Sequence, residues 1–200
     1  MYVSHLHLRN YRNYRRLELD LPRGPVVLFG PNAQGKTNLL EAVYLTATTR
    51  VLRAGSEAEV IRWGAGEEEA PPVARVAVRV ERRSGPVQVE VAVLGRDGLP
   101  SGLPDEEVRH ASKRLRVDGV PRRASQVVGQ VAAVFFSSDD LALLGGPPAL
   151  RRRYLDVLLS QVQPPYLRAL QRYGRVLQQR NHLLKRLLEG LGRTDELIFW

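Results

Sequence analysis

Hydrophobic and polar residues alternate along most of the first 21 positions of the chain. Residues 2–8 and 17–21 place apolar and polar side chains in turn. Because successive side chains of a strand point to opposite faces, this period of two predicts two half-buried strands. The basic stretch 12–16 lies between them and predicts the turn that joins the two strands.

The same alternation returns in residues 73–80 and 87–94, which are separated by ERRSGP. This arrangement predicts an antiparallel hairpin. A second, smaller hairpin is predicted where Asp118-Gly119 lies between residues 115–117 and Val120, because Asp-Gly is typical of tight two-residue turns. Residues 64–72 and 95–104, which are rich in glycine, proline and charge, predict exposed loops.

Two short runs are apolar throughout, Val26–Phe29 and Val131–Phe136. An uninterrupted apolar run of this length predicts a strand that is covered on both faces. After the first run, apolar residues recur at helical spacing from position 39 to 44, so we expect a helix to begin just after Gly35.

The last third of the chain has the pattern of two helices. The stretch Gly145 to Pro148 predicts the start of one, and Pro164-Pro165 predicts its end. A longer helix is predicted from Tyr166 to about Leu191, with an apolar seam that should pack against a neighbour. The seam residues are Leu170, Tyr173, Leu177, Leu184, Leu187 and Leu191.

Charge is the unusual feature of the composition. The 200-residue chain is 44% hydrophobic and 26% charged, which is typical of globular proteins, but its net charge is +9 and its pI about 10.4. Only Lys36, Lys113 and Lys185 of the 30 basic residues are lysine, and arginine can grip phosphate in bidentate fashion. The charge favours a polyanionic partner; a merely solvated basic surface is the alternative.

Several classes of protein and site are excluded or disfavoured. The chain has no cysteine, which excludes disulfides, thiolate zinc sites and cysteine nucleophiles. No apolar run approaches the roughly 18 residues that a membrane-spanning helix needs. The first residues, MYVSHLHLRNYRNYRR, lack the apolar core of a signal peptide. We therefore expect a cytoplasmic protein without a membrane partner.

The strongest chemical signal is a phosphate-binding loop. Residues 30–37, GPNAQGKT, match G-x-x-x-x-G-K-[ST] between a predicted strand and a predicted helix. Gly30 and Gly35 let backbone N–H groups turn toward phosphate oxygens, and the helix N-terminus adds a positive dipole. Lys36 should reach the β and γ phosphates, and the hydroxyl of Thr37 should bind Mg²⁺.

We expect ATP and Mg²⁺ as cofactors and nine residues as the nucleotide contact: Gly30, Pro31, Asn32, Ala33, Gln34, Gly35, Lys36, Thr37 and Asn38.

Hydrolysis needs more than this loop, since an acidic residue must also hold the metal. Asp139 and Asp140 follow the apolar run 131–136, but two serines separate them from it. In an extended chain those serines would carry the carboxylates past the metal, at about 3.3 Å per residue. The alternative is that the two aspartates begin a helical turn before Leu141. No complete catalytic set is recognisable in the chain.

Several segments together resemble the RecF family, the ABC-type, SMC-like ATPases of bacterial recombinational repair. They are LRNYRNY at 8–14, GPNAQGKTNLLEAVYLTAT at 30–48, the stretch from Val117 to Lys185, and ELIFW at 196–200. The resemblance covers nearly the whole chain. Its most specific part is 139–185, which contains the run Arg151-Arg152-Arg153-Tyr154-Leu155-Asp156.

This resemblance implies an α/β fold: a P-loop NTPase of the ABC/SMC ATPase-head type with a mixed sheet, antiparallel hairpins and two lobes. Lobe I would span 1–136, and an incomplete helical lobe II would span 137–200. It also implies slow, DNA-dependent ATP hydrolysis, an ATP-dependent homodimer, and binding to double-stranded or gapped DNA. RecR would be a partner, with RecO and RecA in the same pathway of DNA repair and replication restart.

Two departures from the family pattern stand out. The family commonly has Pro-Glu-Asp where this chain has Ser138-Asp139-Asp140. Family chains are also longer, and their signature motif and acid-bearing strand lie beyond the point where this chain ends, at Ile198-Phe199-Trp200. We therefore expect an N-terminal portion that does not hydrolyse ATP by itself.

Arginines are the predicted DNA contacts. They lie beside the Asp118-Gly119 turn, before Tyr154 and on the long helix at spacings of four and three. Phosphate contacts of this kind would make binding fall steeply with salt; a solvated charged face is the alternative. Without interleaved aromatic residues the pattern favours duplex over single-stranded DNA. The candidates are Arg122, Arg123, Arg151, Arg152, Arg168, Arg172 and Arg175.

Two pairs near the N-terminus have weaker signals. Arg12 and Asn13 lie where related ATPase heads bring a basic residue near the nucleotide; ordinary turn chemistry is the alternative. His5 and His7 share one strand face as a metal pair would, but with no further His or Cys nearby a structural role is favoured.

Two other functions compete with that of a RecF-like ATPase. These 200 residues could act as a non-catalytic module that binds DNA or a partner protein. A different P-loop enzyme, such as a kinase or GTPase, is the third possibility. A GTPase would carry Asn-Lys-x-Asp, which the sequence lacks, and a small-molecule kinase would not need the arginines.

Overall fold

A six-stranded antiparallel sheet forms the larger part of the computed structural model, which describes residues 1–52, 57–68, 71–95 and 113–191. The strand order is β2-β1-β3-β4-β5-β6. The strands are β1 Tyr2–Tyr11, β2 Tyr14–Asp20, β3 Val73–Glu81, β4 Val87–Leu94, β5 Lys113–Val117 and β6 Val120–Pro121. All three hairpins predicted from the alternating patterns are confirmed. Asp118 and Gly119 have φ of 51° and 77°, as a tight hairpin turn requires.

Six α-helical segments accompany the sheet in the described residues. They are α1 Lys36–Thr48, α2 Ala65–Glu68, α3 Ala124–Val127, α4 Ala142–Gly145, α5 Pro148–Val162 and α6 Pro164–Leu188. The predicted starts near Gly35 and Pro148 are confirmed, and Pro164 begins α6 where α5 ends. A proline suits a helix start because its missing N–H needs no partner there. None of the helices in the described residues is both long and apolar enough to cross a membrane.

The main core lies between α1 and one face of the sheet. Leu6, Leu8, Val78 and Val89 on the strands and Leu45 on α1 are all at most 1% exposed. Because side chains alternate along a strand, the neighbouring residues of β1–β5 point to the opposite face, which carries charged side chains and is called the outer face below. The core therefore holds α1, and with it the loop that precedes α1, at a fixed place against β3 and β4.

The two apolar runs are not strands, contrary to the sequence prediction. Residues 25–29 have no regular secondary structure and pair with no described strand, and Phe29 is 92% exposed. In the run 131–136 only Val131 makes a β-bridge, to Val128, and Phe136 is 73% exposed. A strand needs a hydrogen-bonded neighbour, and the order of the sheet places none beside either run within the described residues.

The predicted seam of the long helix is partly wrong. Leu183 is the buried residue of α6, at 7% exposure, whereas Tyr173 and Leu184 of the predicted seam are 62% and 38% exposed. The buried face of α6 is set by its contacts with α3 and α5, which periodicity alone does not reveal. The loop predicted at 64–72 also contains α2, whose Ala65 is buried. Most of the loop predicted at 95–104 lies outside the described residues.

Candidate nucleotide-binding site

The loop from Gly30 to Lys36 has the backbone of an anion cradle. Gly30, Ala33 and Gly35 have φ of 141°, 63° and 91°. These positive values turn successive N–H groups in a way that only glycine adopts without strain, and Ala33 bears a cost of about 1–2 kcal/mol. Gly35 is the N-cap of α1, and no side chain caps this helix end. The first N–H groups of α1 are thus directed at a position suited to phosphate.

Lys36 and Thr37 lie at the start of α1, beside this cradle. The Nζ atom of Lys36 donates hydrogen bonds to the carbonyl oxygens of Gly30, at 2.8 Å, and of Pro31, at 2.5 Å. The ammonium group therefore lies across the loop. Thr37 is exposed, and no acidic residue lies in the first turn of α1 to repel an anion. A bare helix end, an ammonium and an exposed hydroxyl form a set that fits a polyphosphate with its magnesium ion.

Asn13 braces the loop from the β1–β2 turn. Its Nδ2 donates to the carbonyl of Gln34 at 3.3 Å, and its Oδ1 accepts from Nδ2 of Asn38 at 2.8 Å. The hydroxyl of Tyr14 also reaches the Gln34 carbonyl, at 3.5 Å. A Cβ added to Gly35 would lie 2.5 Å from Nδ2 of Asn13, so any larger residue would force this amide to move. The structure thus brings Asn13 and Asn38, both predicted site residues, to the phosphate loop.

Arg12, unlike the adjacent Asn13, forms its hydrogen bonds with residues outside the phosphate loop. Its Nη2 donates to Oε2 of Glu41 at 3.1 Å and to the Leu52 carbonyl at 3.0 Å, and Nη1 lies 3.5 Å from the Glu59 carbonyl. These hydrogen bonds attach the β1–β2 turn to the middle of α1 and to segment 52–60. Sequence reasoning missed Glu41, a carboxylate that is only 5% exposed on the buried side of α1. The sequence did contain a signal for this residue, because Glu41 is a single acidic residue between the apolar pairs Leu39-Leu40 and Ala42-Val43.

The geometry around Asp140 matches the helical-turn alternative. Ser138–Leu141 is a 3₁₀ turn, and the Asp140 carboxylate accepts the backbone N–H of Ser137 at 2.6 Å and its hydroxyl at 3.3 Å. This is a reciprocal cap of the turn. Among the described residues no group of three His, Asp or Glu side chains could hold a metal ion. The assignment of Asp139 or Asp140 as a metal ligand remains a prediction from sequence.

The two histidines of β1 belong to an exposed ion-pair cluster. His5 lies between Asp20, at 2.7 Å from Nδ1, and Glu18, at 3.0 Å from Nε2, while Nε2 of His7 is 3.5 Å from Glu18. The hydrogen bond with Asp20 is the main cause that raises the pKa of His5. A ring with both nitrogens bound to carboxylates is a donor at both, so a structural role for these histidines fits the geometry.

The predicted DNA-binding arginines fall into two groups. Arg168, Arg172 and Arg175 are exposed on α6 and make no hydrogen bond or ion pair with the described residues. Arg122, Arg123 and Arg152 are also exposed. Arg151 makes structural hydrogen bonds instead. Its Nη1 donates to the carbonyls of Leu143 and Gly146 at 3.1 and 3.0 Å, which stabilises the turn before α5.

Comparison with known proteins agrees with this site. A family model described as an AAA domain matches residues 5–99. The DNA replication and repair protein RecF of Chloroflexus aurantiacus is 50% identical over 189 residues, 92% of this chain and 46% of its own. RecF of Roseiflexus castenholzii is 46% identical over 205 residues, 100% of this chain and 51% of its own. The chain spans about half the length of the curated relatives that it matches.

Solved structures show the same relationship. The structure of the recombination mediator protein RecF-ATP has a TM-score of 0.81 at 26% identity, covering 98% of this chain and 48% of that one. An SMC ATPase structure has a TM-score of 0.54 at 16% identity, covering 79% of this chain and 99% of that one, which shows a shared fold. The fold is therefore that of a P-loop NTPase of the ABC/SMC head type.

Proposed function

The chain belongs to the RecF family, and we propose from this that it forms the ATP-binding part of a DNA repair ATPase. The observation that carries the proposal is the loop at 30–37, where α1 starts without a side-chain cap and the Lys36 ammonium lies against the loop backbone. Both features place positive charge where the phosphates of a nucleotide would lie. One of the similar solved structures is a RecF-ATP structure, which supports ATP as the nucleotide.

The roles of the site residues follow from their positions. Backbone N–H groups from Gly30 to Lys36 would bind phosphate oxygens, and the Lys36 ammonium would move from the loop carbonyls to the β and γ phosphates. Bound Mg²⁺ would neutralise phosphate charge, with the exposed Thr37 hydroxyl as its protein ligand. Asn13 and Asn38 would hold the loop in place without needing to touch the nucleotide.

Equilibrium binding of ATP and ADP with Mg²⁺ tests this proposal. We expect binding by the parent chain and loss of binding in Lys36→Ala. Lys185→Ala is the matched control, because Lys185 is an exposed lysine on α6 whose Nζ lies 3.9 Å from Glu189, and binding should be unchanged. Equal binding by Lys36→Ala and the parent would refute the site. A turnover assay on the same samples separates an ATPase from a non-catalytic binding module, and we expect no turnover by these 200 residues.

DNA binding is the second part of the proposal. The exposed arginines of α6, Arg168, Arg172 and Arg175, would contact the phosphates of duplex or gapped DNA, with help from Arg122, Arg123 and Arg152. The net charge of +9 supports a polyanionic partner. Replacing the three α6 arginines by glutamine should lower the slope of log affinity against log salt by about 0.9 for each phosphate neutralised by the parent but not by the variant. An unchanged slope would remove α6 from the proposed DNA surface.

The remaining parts of the proposal follow from the family. Residues 1–136 would form lobe I and 137–200 part of helical lobe II of a cytoplasmic ATPase head. The whole protein would form an ATP-dependent homodimer on DNA, with RecR as partner and RecO and RecA acting in the same pathway. Size-exclusion chromatography with and without ATP, and pull-down by immobilised RecR, test these two points directly.

A further inference from the structure

The outer face of the sheet carries a row of arginines that the register of the strands brings together. Arg9 of β1 lies directly opposite Arg16 of β2 on one side and Arg75 of β3 on the other. Arg75 lies opposite Ala92 of β4, which in turn lies opposite Arg114 of β5. Residues in direct register share a face, so these side chains all project from the face opposite the core. We call Arg16, Arg9, Arg75 and Arg114 the arginine row.

The arginine side chains of the row are exposed or half-exposed, Ala92 between them is buried, and two of the four carboxylates on this face of the described strands lie beside the row. Arg9 and Arg114 are exposed, and the side chains of Arg16 and Arg75 are 75% and 38% exposed. Glu18 and Glu90, each 3.5 Å from a row arginine, lie one row further along the strands. The remaining carboxylates of this face lie beyond them, toward the opposite end of the sheet: Asp20 and Glu81.

The strand register places like charges next to each other in this row. Like charges directly opposite each other on neighbouring strands destabilise a sheet, and here three arginines follow one another in register. Glu18 and Glu90 offset part of this repulsion at Arg16 and Arg75, and an anionic partner would convert the remaining repulsion into attraction. The row covers four inter-strand spacings, or about 19 Å at about 4.8 Å each. Duplex DNA carries one charge per about 1.7 Å of its axis with both strands counted, so a duplex of this length carries roughly eleven phosphate charges, of which those on the facing side can meet the row.

We propose that the arginine row is a second DNA-binding surface of this protein, which receives the phosphate backbone of a duplex across β2, β1, β3 and β5. Guanidinium groups suit this partner because each can bind a phosphate in bidentate fashion. None of the row positions, nor Ala92 between them, is an aromatic residue that could stack an unpaired base, so the surface fits duplex rather than single-stranded DNA.

The row is also placed to communicate with the nucleotide site. Arg9 and Arg16 lie on the two strands joined by the turn whose Asn13 braces the phosphate loop. One short hairpin therefore carries both a proposed DNA contact and a contact to the nucleotide loop. This inference deepens the proposed function and rests on the DNA binding proposed there.

Salt-dependent binding to a short blunt duplex, measured by fluorescence anisotropy between about 50 and 200 mM salt, tests the proposal. The test variant is Arg9→Gln/Arg75→Gln/Arg114→Gln in the full-length protein, since glutamine keeps a polar, flexible side chain without the charge. Its salt slope should fall by about 2 to 3 units, about 0.9 for each phosphate no longer neutralised. Its melting temperature should stay close to that of the parent, because the loss of the exposed Arg75–Glu90 ion pair is offset by the removal of like charges.

The control carries the same charge change at the opposite end of the sheet. Arg23→Gln/Arg79→Gln/Arg83→Gln replaces three arginines near the end of β2, in β3 and in the β3–β4 turn. Its slope should match that of the parent. A slope that falls equally in both variants would show a general charge effect and overturn the proposal, as would a test variant with an unchanged slope. Equal losses on the duplex and on its single strand would overturn the assignment to duplex DNA.

The same assay separates this inference from the proposed function. If the parent protein binds no duplex, the proposed DNA function fails and the row inference fails with it. If the parent binds and only the Arg168, Arg172 and Arg175 variant loses slope, the row inference alone is refuted. If only the row variant loses slope, DNA binding is retained and its site moves from α6 to the sheet.

Discussion

The contact between Gly35 and Asn13 allows a quantitative test of the brace on the phosphate loop. Gly35 has φ of 91°, and a Cβ there would lie 2.5 Å from Nδ2 and 2.6 Å from Oδ1 of Asn13. Gly35→Ala therefore has two consequences. The backbone is strained at a positive φ, and the Asn13 amide must turn away and lose its hydrogen bonds to Gln34 and Asn38.

The two effects have separable magnitudes. A non-glycine residue in the left-handed region costs about 1–2 kcal/mol. Two exposed hydrogen bonds contribute about 1–2 kcal/mol together. Gly35→Ala should thus lower the free energy of unfolding by about 2–4 kcal/mol, and Asn13→Ala, which loses only the hydrogen bonds, by about 1–2 kcal/mol. In the double variant the hydrogen bonds are lost once, so it should resemble Gly35→Ala alone, with a coupling of about 1–2 kcal/mol.

Equilibrium urea unfolding, followed by circular dichroism, measures all three variants, with an unchanged m-value as the check that the same transition is compared. Gly174→Ala is the control, because Gly174 lies within α6 with nothing within 4 Å of an added Cβ. That change should raise stability by up to about 1 kcal/mol. A double variant destabilised by the sum of the two single losses would show that Gly35 and Asn13 act independently, and the brace would be refuted.

Three further predictions concern stability. Arg12→Met leaves the buried carboxylate of Glu41 unpaired and should lower the free energy of unfolding in urea by about 3–5 kcal/mol, while adding Glu41→Leu should recover most of that loss. Leu183→Ala should lower the free energy of unfolding by about 2–4 kcal/mol in the same assay. Leu184→Ala, at the more exposed neighbouring position, should lower it by at most about 0.5 kcal/mol. The hydrogen bond with Asp20 raises the pKa of His5 above 6.5, so its stabilisation is complete below pH 6.5 and lost as pH rises through the folded-state pKa. As pH rises through the folded-state pKa, the melting temperature should decline less in His5→Gln than in the parent. If the melting temperatures of the two proteins fell in parallel with pH, the stabilising role of the His5–Asp20 hydrogen bond would be contradicted.

Local patterns predicted much of the fold. The Asp118-Gly119 turn and the strands on both sides of it depend on neighbours in sequence, because alternation and turn chemistry operate over a few residues. The phosphate loop is equally local, since its glycines, Lys36 and the start of α1 lie within seven positions. These features were therefore predictable from the sequence and are found in the structure.

The errors concern features that depend on distant partners. The run 26–29 is as apolar as a buried strand, but pairing requires a neighbour, and Phe29 is 92% exposed in the described structure. The buried leucine of α6 is Leu183 rather than Leu184, because contacts with α3 and α5 select the face. Asp140 is not one of these errors: its hydrogen bonds with Ser137 match the helical-turn alternative given from the sequence, and its assignment as a metal ligand remains a prediction.

Residue types at short spacings were enough to predict the phosphate loop and most strand and helix positions, because both depend on near neighbours in the chain. Which distant residues meet was decided by the packing of the folded chain. It brought Asn13 to Gly35, buried Glu41 beside Arg12, and aligned Arg9, Arg16, Arg75 and Arg114 across the sheet. The row arginines lie up to about a hundred positions apart, and only the strand register, set by the core on the opposite face, brings them into one line.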